Sequence, residues 1–301
     1  MSEELAVKQP GIYAMPMERY LADPCPQPSL SSGIIHAICS ESPLHAFTQH
    51  PRLNPGAAGE EKEIMDVGTI AHALMLEGVS HAKIISEAVD AKGVLRQIDD
   101  WRLSDAKRQR DEARANGKVP ILAGKYDAVM RMIRAARQQL NEHKEAHDAF
   151  TNGLPEQTII WQEEGLWCRA RPDWLHDSHS IMDDYKTTGA TANPEVLSRT
   201  LFTNGWDIQA AWYRRGLKAI TGKDAQFRFV VQETYAPHAL SVMALGPDVL
   251  MLAEKKIMFA MDVWRACLEE DRWPGYPTRT CYAELPPYEE SRWLEKEIQS
   301  I

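Results

Sequence analysis

The sequence predicts an α/β fold: a central mixed β-sheet flanked by helices, with a helical extension at the N-terminus. Two observations predict this class. Long stretches with apolar residues at helical spacing alternate with shorter strand-like stretches along the chain. The composition, with 301 residues, 44% of them hydrophobic and 26% charged, is that of a soluble globular protein with a sizeable core. We therefore expect one main domain.

Residues 1–60 are predicted to be an extension that contains short helices. Prolines make the first 30 residues irregular in this prediction. A short helix over 33–39 follows. Ser42 is then predicted to cap a second helix that has Pro43 at its first position, because a serine hydroxyl can accept a hydrogen bond from the free amides of a helix N-terminus.

The predicted core domain spans residues 61–275 and begins with a helix over 63–77. In that helix Gly68 and His72 are four residues apart and therefore share one face. The highly charged segment 92–118 is interpreted as a solvated helix, and the alternative is an arm that contacts DNA. A long amphipathic helix over 125–149 follows it.

The rest of the core is predicted as three strands, a helix, two strands and a final long helix. The three strands, at 157–162, 166–173 and 181–187, are expected to form an antiparallel meander. The C-terminal tail over 276–301 contains several prolines and is predicted to lie on the surface, with a short helix from Tyr288.

The stretch RPDWLHDSHSIMDDYKTT carries the clearest chemical pattern. It predicts two strands joined by a polar turn, so that Asp173 and Asp184 meet across neighbouring strands. Two adjacent carboxylates repel each other unless a cation lies between them, and oxygen ligands suit Mg²⁺ or Mn²⁺. Lys186 shares the face of Asp184 and is predicted to hold a phosphate or a water, whereas Tyr185 points into the opposite layer.

The residues of this stretch and its neighbours are also compatible with other interpretations. The same hairpin could expose its charges to solvent, and a β-bulge could exchange Asp184 for its neighbour Asp183. A single histidine such as His72 is more often structural than a ligand. Gln209 and Tyr213 share a helix face, which packing alone would explain.

Taken in their order along the chain, these motifs resemble the RecB-like branch of the PD-(D/E)xK superfamily. Within that branch they resemble the RecE-type (exonuclease VIII) nuclease domain. The resemblance covers most of residues 11–270 and is dense between 64 and 217. It rests on four stretches, which are GTIAHALMLE, EQTIIWQEEGLWCRARPDW, SIMDDYKTT and GWDIQAAWYRRGL. It implies the restriction-endonuclease-like core of that superfamily.

The resemblance also implies roles for individual residues. The metal ligands would be the Asp173 and Asp184 carboxylates, the main-chain carbonyl of Tyr185, His72 and, held more loosely, Glu156. Lys186 would position and help deprotonate the attacking water. Gln209 and Tyr213 would hold a phosphate, and Arg171 is placed with them as a DNA-contacting residue.

The activity implied is that of a Mg²⁺-dependent exodeoxyribonuclease, for which Mn²⁺ can substitute. Relatives of this type digest duplex DNA from its ends in the 5′ to 3′ direction, release 5′-mononucleotides and leave 3′ single-stranded tails for phage-type recombination. They form rings around DNA and work with a strand-annealing protein of the RecT type. We expect the same partners here.

The net charge and the cysteine content argue against two classes of protein, those that coat nucleic acid and those that hold an iron–sulfur cluster. A net charge of −9 argues against a protein that coats nucleic acid through a broad basic face. The five scattered cysteines include no CxxC pair, so no iron–sulfur cluster is expected, and reduced thiols suit the cytoplasm of a bacterium or a phage-infected host. No membrane association is expected.

Three other functions remain as alternatives. One is a CRISPR-associated or AddB-like nuclease, which would normally carry cluster-binding cysteines. Another is a DNA-end-binding or scaffold protein with a silent nuclease fold. The last is an α/β domain whose charged residues have no catalytic role.

Overall fold

The structure of the protein is a computed structural model that describes residues 7–55 and 65–299. Within these residues the helices are α1 (Met17–Leu21), α2 (Ser32–Ser40), α3 (Pro43–Gln49), α4 (Met65–Leu76), α5 (Ser104–Ala115), α6 (Ala123–Glu142), α7 (Pro194–Thr203), α8 (Trp206–Thr221), α9 (Pro247–Glu270) and α10 (Pro287–Gln299). The strands are β1 (Gly11–Tyr13), β2 (Ala82–Ile85), β3 (Glu87–Val89), β4 (Leu95–Gln97), β5 (Val119–Leu122), β6 (Gly153–Pro155), β7 (Thr158–Glu163), β8 (Leu166–Ala170), β9 (Trp174–His176), β10 (Ile181–Thr188), β11 (Gln226–Glu233) and β12 (Leu240–Met243).

The central sheet has the strand order β12-β11-β10-β9-β6, and within it only β10 and β11 are parallel neighbours. Successive residues of β11 enter opposite layers of the core. Phe229 and Val231 pack in the cluster that contains α8 and α9, whereas Val230 packs in the cluster that contains α4 and α6. The predicted fold class, a mixed sheet flanked by helices, is therefore confirmed.

The predicted antiparallel meander is wrong. β8 pairs with β7 in a separate three-stranded sheet of order β1-β7-β8, whereas β10 pairs with β9 and β11 in the central sheet. Pro172 accounts for the break, because proline has no amide hydrogen to continue a strand ladder. β8 ends at Ala170, and the chain enters the central sheet at Trp174.

Helix α8 packs closely between the two sheets. A Cβ atom at Gly216 would overlap the Trp161 ring of β7, so glycine is required at this close approach. Next to it the Trp161 and Trp212 rings lie 4.6 Å apart, and at the start of the helix Trp206 stacks on Phe229 of the central sheet at 5.4 Å. These contacts fix the helix that carries Gln209 and Tyr213.

The N-terminal residues join the same core. Ile34 and Ile35 of α2 are buried in the cluster formed by α8 and α9. Ser42 caps α3 by accepting a hydrogen bond from the N–H of His45, as predicted. β1 and α1 lie in the segment that was predicted to be irregular. The first two residues of the helix predicted over 63–77 lie outside the described residues, and α4 is the part described.

Three other elements differ from the prediction. Segment 92–118 is helical only over α5. Some of its charges are paired within it, as between Arg108 and Asp105 at 2.5 Å. Helix α6 ends at Glu142, because the following residues form turns, and α7 was not predicted. The part of the chain that the structure describes contains no helix long and apolar enough to cross a membrane.

Candidate metal centre and active site

The hairpin of β9 and β10 brings two carboxylates together. Trp174 pairs with Asp183, and the same register places Asp173, just before β9, opposite Asp184. The main-chain N–H of Tyr185 donates a hydrogen bond to Asp173 Oδ2 at 2.8 Å and so holds this carboxylate against β10. The two acids therefore converge, as the hairpin pattern predicted.

A third acid and a histidine reach the same point. The main-chain N–H of Glu156, the residue after β6, donates to the carbonyl of Asp173 at 2.9 Å. His72, on α4, places Nε2 3.1 Å from Asp173 Oδ2 and Nδ1 3.7 Å from Glu156 Oε1. One potential ligand atom from each of these three side chains lies within 4.8 Å of the other two. This is the spacing of a metal-binding cluster.

Lys186 lies beside this cluster on the same face of β10 as Asp184. Its ammonium group contacts Asp184 Oδ1. The Asp184 side chain is fully buried, whereas 24% of Lys186 is exposed, so the lysine lies between the buried acid and solvent. The site is therefore open on the lysine side.

Gln209 and Tyr213 approach from α8, one helical turn apart. Gln209 Nε2 donates to Asp184 Oδ2 at 2.6 Å. Tyr213 is buried. Burial, together with the nearby Tyr20 and Asp184, raises the pKa of Tyr213 well above its usual value. Tyr213 is therefore a neutral phenol that can donate a hydrogen bond.

Arg171 lies behind Glu156 and is only 7% exposed. Its Nε bonds the Glu156 carboxylate, and its Nη1 donates to Thr158 Oγ1 at 2.8 Å and to the carbonyl of Met15 at 2.9 Å. These bonds orient the Arg171 guanidinium toward the Glu156 carboxylate. The ring of Tyr20 on α1 lies 5.7 Å from the guanidinium carbon. Sequence reasoning did not identify Tyr20, because its proline-rich segment has no periodic pattern.

The charges in the site change one another's protonation. Burial and the negative charge of Asp173 raise the pKa of Asp184 to about 6, against the opposing effect of Lys186. Burial alone would lower the pKa of His72, but the hydrogen bond to Asp173 and the nearby carboxylates raise it. Burial would likewise lower the pKa of Lys186, and the charges of Asp184 and Asp173 raise it instead.

The donor set fits a divalent cation. Asp184 Oδ1 is buried, faces the Lys186 ammonium and accepts no hydrogen bond of regular geometry from the described residues. The Tyr185 N–H points toward Asp173, and in a strand the carbonyl of the same residue points to the same side. Carboxylate and carbonyl oxygens with one imidazole nitrogen suit Mg²⁺ or Mn²⁺.

Asp183 points into the opposite layer and does not enter the site. Its carboxylate accepts hydrogen bonds from Arg228 Nε at 2.6 Å and from the main-chain N–H of Phe150 at 3.1 Å, and it lies 2.7 Å from His176 Nε2. β10 is regular here, because its residues pair one to one with β9 and β11. The exchange of the two acids by a bulge does not occur.

Comparisons with known proteins identify the family and the fold. The sequence model of a family described as "PDDEXK-like domain of unknown function (DUF3799)" matches residues 37–285. The crystal structure of a "Putative exonuclease" from Eubacterium rectale superposes with a TM-score of 0.60 at 12% identity, covering 93% of this chain and 98% of that one. At this identity the likeness concerns the fold alone.

A second solved structure, an alkaline exonuclease from Laribacter hongkongensis, covers 69% of this chain and 95% of that one at 13% identity. Its TM-score is 0.24, which is too low to compare the two sites. No curated protein matches the sequence.

Proposed function

The chain belongs to the PDDEXK-like family DUF3799, and we propose that it is a metal-dependent nuclease that hydrolyses double-stranded DNA from its ends. The observation that carries this proposal is the cluster of His72, Glu156 and Asp173, beside which Asp184 and Lys186 lie on the neighbouring strand. The clustered carboxylates provide a cation site, and the lysine beside them provides a group that can contact phosphate.

Asp173, Asp184, Glu156 and His72 would hold the metal, with the carbonyl of Tyr185. A bound Mg²⁺ would neutralise the phosphodiester and lower the pKa of a coordinated water. Mn²⁺ is expected to substitute, since both cations accept this set of ligands.

Lys186 would orient the attacking water and offset the negative charge that develops on the phosphate. Its ammonium group contacts Asp184, and the two carboxylates raise its pKa, so it is protonated in the metal-free protein. A cation bound to those carboxylates would neutralise their charge and so remove the cause of the raised pKa of Lys186. The lysine could then exchange a proton with the water next to it.

Gln209 and Tyr213 would bind the scissile phosphate or its neighbour. The amide of Gln209 already donates to Asp184, and the neutral phenol of Tyr213 provides a second donor on the same helix face. Arg171 would act differently from these two, since its guanidinium is directed at Glu156. We propose that it positions Glu156 and supports DNA binding only indirectly.

The resemblance to RecE-type nucleases supports the finer points of the proposal. Digestion would run 5′ to 3′, release 5′-mononucleotides and leave 3′ single-stranded tails. A strand-annealing protein of the RecT type would take up those tails in phage-type recombination, in the cytoplasm. A ring-shaped homo-oligomer would let a chain of net charge −9 act on DNA, because basic groups need line only the channel.

The test is digestion of linear duplex DNA labelled at either its 5′ or its 3′ ends, with a covalently closed circle of the same sequence as the control. With Mg²⁺ we expect early release of 5′ label as mononucleotide, an intact circle, and no reaction in EDTA. Equal digestion of the circle would show an endonuclease. Binding to DNA ends without any Mg²⁺-dependent digestion would establish the silent end-binding protein instead.

A further inference from the structure

A groove of about 590 Å³ lies beside α4 and the end of β10, on the face of β10 that Tyr185 and Thr187 share. Gly68 and Thr187 line it: Gly68 lies one helical turn before His72 on α4, and Thr187 follows Lys186 on β10. A Cβ atom at Gly68 would lie 3.8 Å from Thr187 Oγ1, an ordinary contact distance, so α4 and β10 lie close together at this end of the groove. The volume lies within the range of about 300–1,000 Å³ that is usual for ligand sites.

Trp101 lines the same groove and is half-buried. Its ring belongs to none of the hydrophobic clusters, and it makes no ring–ring contact within the described part of the chain. A half-exposed indole beside a groove is the kind of surface on which a nucleic-acid base stacks.

Lys125 is the cation of this groove. It lies in the first turn of α6, is exposed, and has no ion pair or hydrogen bond with any residue that the structure describes. Arginines of the nearby charged segment differ, since Arg96 is paired with Asp90 and Arg108 with Asp105. In a chain of net charge −9, an unpaired lysine in this groove favours an anionic occupant.

We propose that the groove binds one nucleotide of the DNA strand next to the scissile phosphodiester, with Trp101 stacked on its base and Lys125 paired with its phosphate. This inference rests on the proposed function and deepens it. Every base has a π-face, so the contact would hold any sequence equally, as digestion along a DNA strand requires. The tip of the charged segment would then contact DNA, whereas α5 would remain solvated.

The test measures DNA affinity rather than cleavage. A fluorescein-labelled duplex with a single-stranded tail is titrated with the full chain in EDTA, where the DNA stays intact, and binding is followed by anisotropy. Trp101→Ala is expected to raise Kd about tenfold, the loss of one stacked base. Lys125→Gln is expected to weaken binding and to reduce the slope of log K against log salt by about one.

Two matched variants provide the controls. Trp293→Ala removes an exposed indole from α10, and Lys144→Gln removes an exposed lysine after α6; neither residue lines the groove. Both should bind as the wild type does. Trp101→Phe should retain most of the affinity, since phenylalanine also stacks, and circular dichroism confirms that each variant is folded.

A single abasic nucleotide, moved along the labelled strand, tests the stacking directly. At one position the abasic DNA should bind the wild type about tenfold more weakly, and Trp101→Ala should add no further loss there. If Trp101→Ala and Lys125→Gln bind as their controls do, or if the two losses add at every position, the inference is overturned.

The outcomes also separate this inference from the proposed function. Loss of affinity in the two groove variants, with no Mg²⁺-dependent digestion by the wild type, would support the groove and overturn the nuclease. Digestion by the wild type, with unchanged affinity in the groove variants, would support the nuclease and overturn the groove as a DNA-binding site. A wild-type chain that binds no DNA would overturn both.

Discussion

Asp183 and Asp184 are neighbours in the chain, yet their side chains lie on opposite faces of the central sheet. Asp184 contacts Lys186 in the candidate active site, whereas Asp183 bonds Arg228 and His176 in the opposite layer. Both carboxylates are fully buried. Strand alternation thus gives two identical residues two different environments, and substitution of each should have a different effect.

Asp183→Asn should destabilise the protein and leave its metal site intact. The substitution removes a buried charge from Arg228, and breaking a buried ion pair in this way costs about 3 kcal/mol or more. Thermal unfolding should show a lowered Tm. The further rise in Tm on addition of Mg²⁺ should equal that of the wild type, and loss of this rise would place Asp183 in the metal site.

Asp184→Asn should remove metal binding. A ligand that binds only the folded state raises its stability by about 2.7 kcal/mol at one hundred times Kd, so wild-type Tm should rise with Mg²⁺. Asp184→Asn should lose this rise and lose digestion of linear DNA by about a thousandfold. If this variant kept both properties while Asp183→Asn lost them, the assignment of the two acids would be reversed.

Metal affinity should fall in mild acid. The pKa of Asp184 is raised to about 6, and the pKa of His72 is also raised, so protons compete with the cation for both groups. With a pKa near 6, the ionised fraction of Asp184 is about tenfold smaller at pH 5 than at pH 7. Isothermal titration with Mn²⁺ should therefore show Kd at least tenfold higher at pH 5. An unchanged Kd would contradict a carboxylate ligand with a raised pKa.

Arg171→Lys should weaken metal binding without removing it. Arg171 holds Glu156 through its guanidinium, and lysine cannot reproduce that planar set of donors. Loss of such a supporting bond typically costs 10–100-fold in metal affinity. The Mg²⁺ concentration that gives half-maximal digestion should rise by about that factor.

Arg265→Lys is the matched control for this substitution, because Arg265 forms an ion pair with Glu164 at an exposed position. Its Mg²⁺ dependence should be that of the wild type. If Arg171→Lys instead left the metal requirement unchanged and raised only KM for DNA, Arg171 would be a DNA-contacting residue.

Much of the site followed from the sequence because its residues lie in locally regular elements. The spacing of Asp184 and Lys186 fixes their shared face once β10 is identified, and the turn before it fixes Asp173 opposite Asp184. Gln209 and Tyr213 are related by a single helical turn in the same way. These relationships depend only on periodicity within one strand, hairpin or helix.

Features that depend on tertiary pairing were not predicted correctly. The alternation of apolar and polar residues within a strand does not indicate which sheet the strand joins. It therefore could not show that the chain leaves one sheet at Pro172 and enters another. The resemblance named Glu156 as a loosely held ligand, but no sequence pattern indicates the left-handed backbone conformation, with φ of 55°, from which it reaches the site. Trp101 and Lys125 meet only because separate segments fold against the end of β10.

Lys186 is the residue on which the proposed nuclease activity depends most, and one comparison of variants tests its role directly. Wild type, Lys186→Ala and the exposed-lysine control Lys144→Ala are assayed on end-labelled linear duplex DNA with Mg²⁺, after thermal unfolding has shown that all three are folded. We predict that Lys186→Ala loses activity by about a thousandfold while Lys144→Ala digests DNA at the wild-type rate. Equal digestion by wild type and Lys186→Ala would contradict the proposed active site.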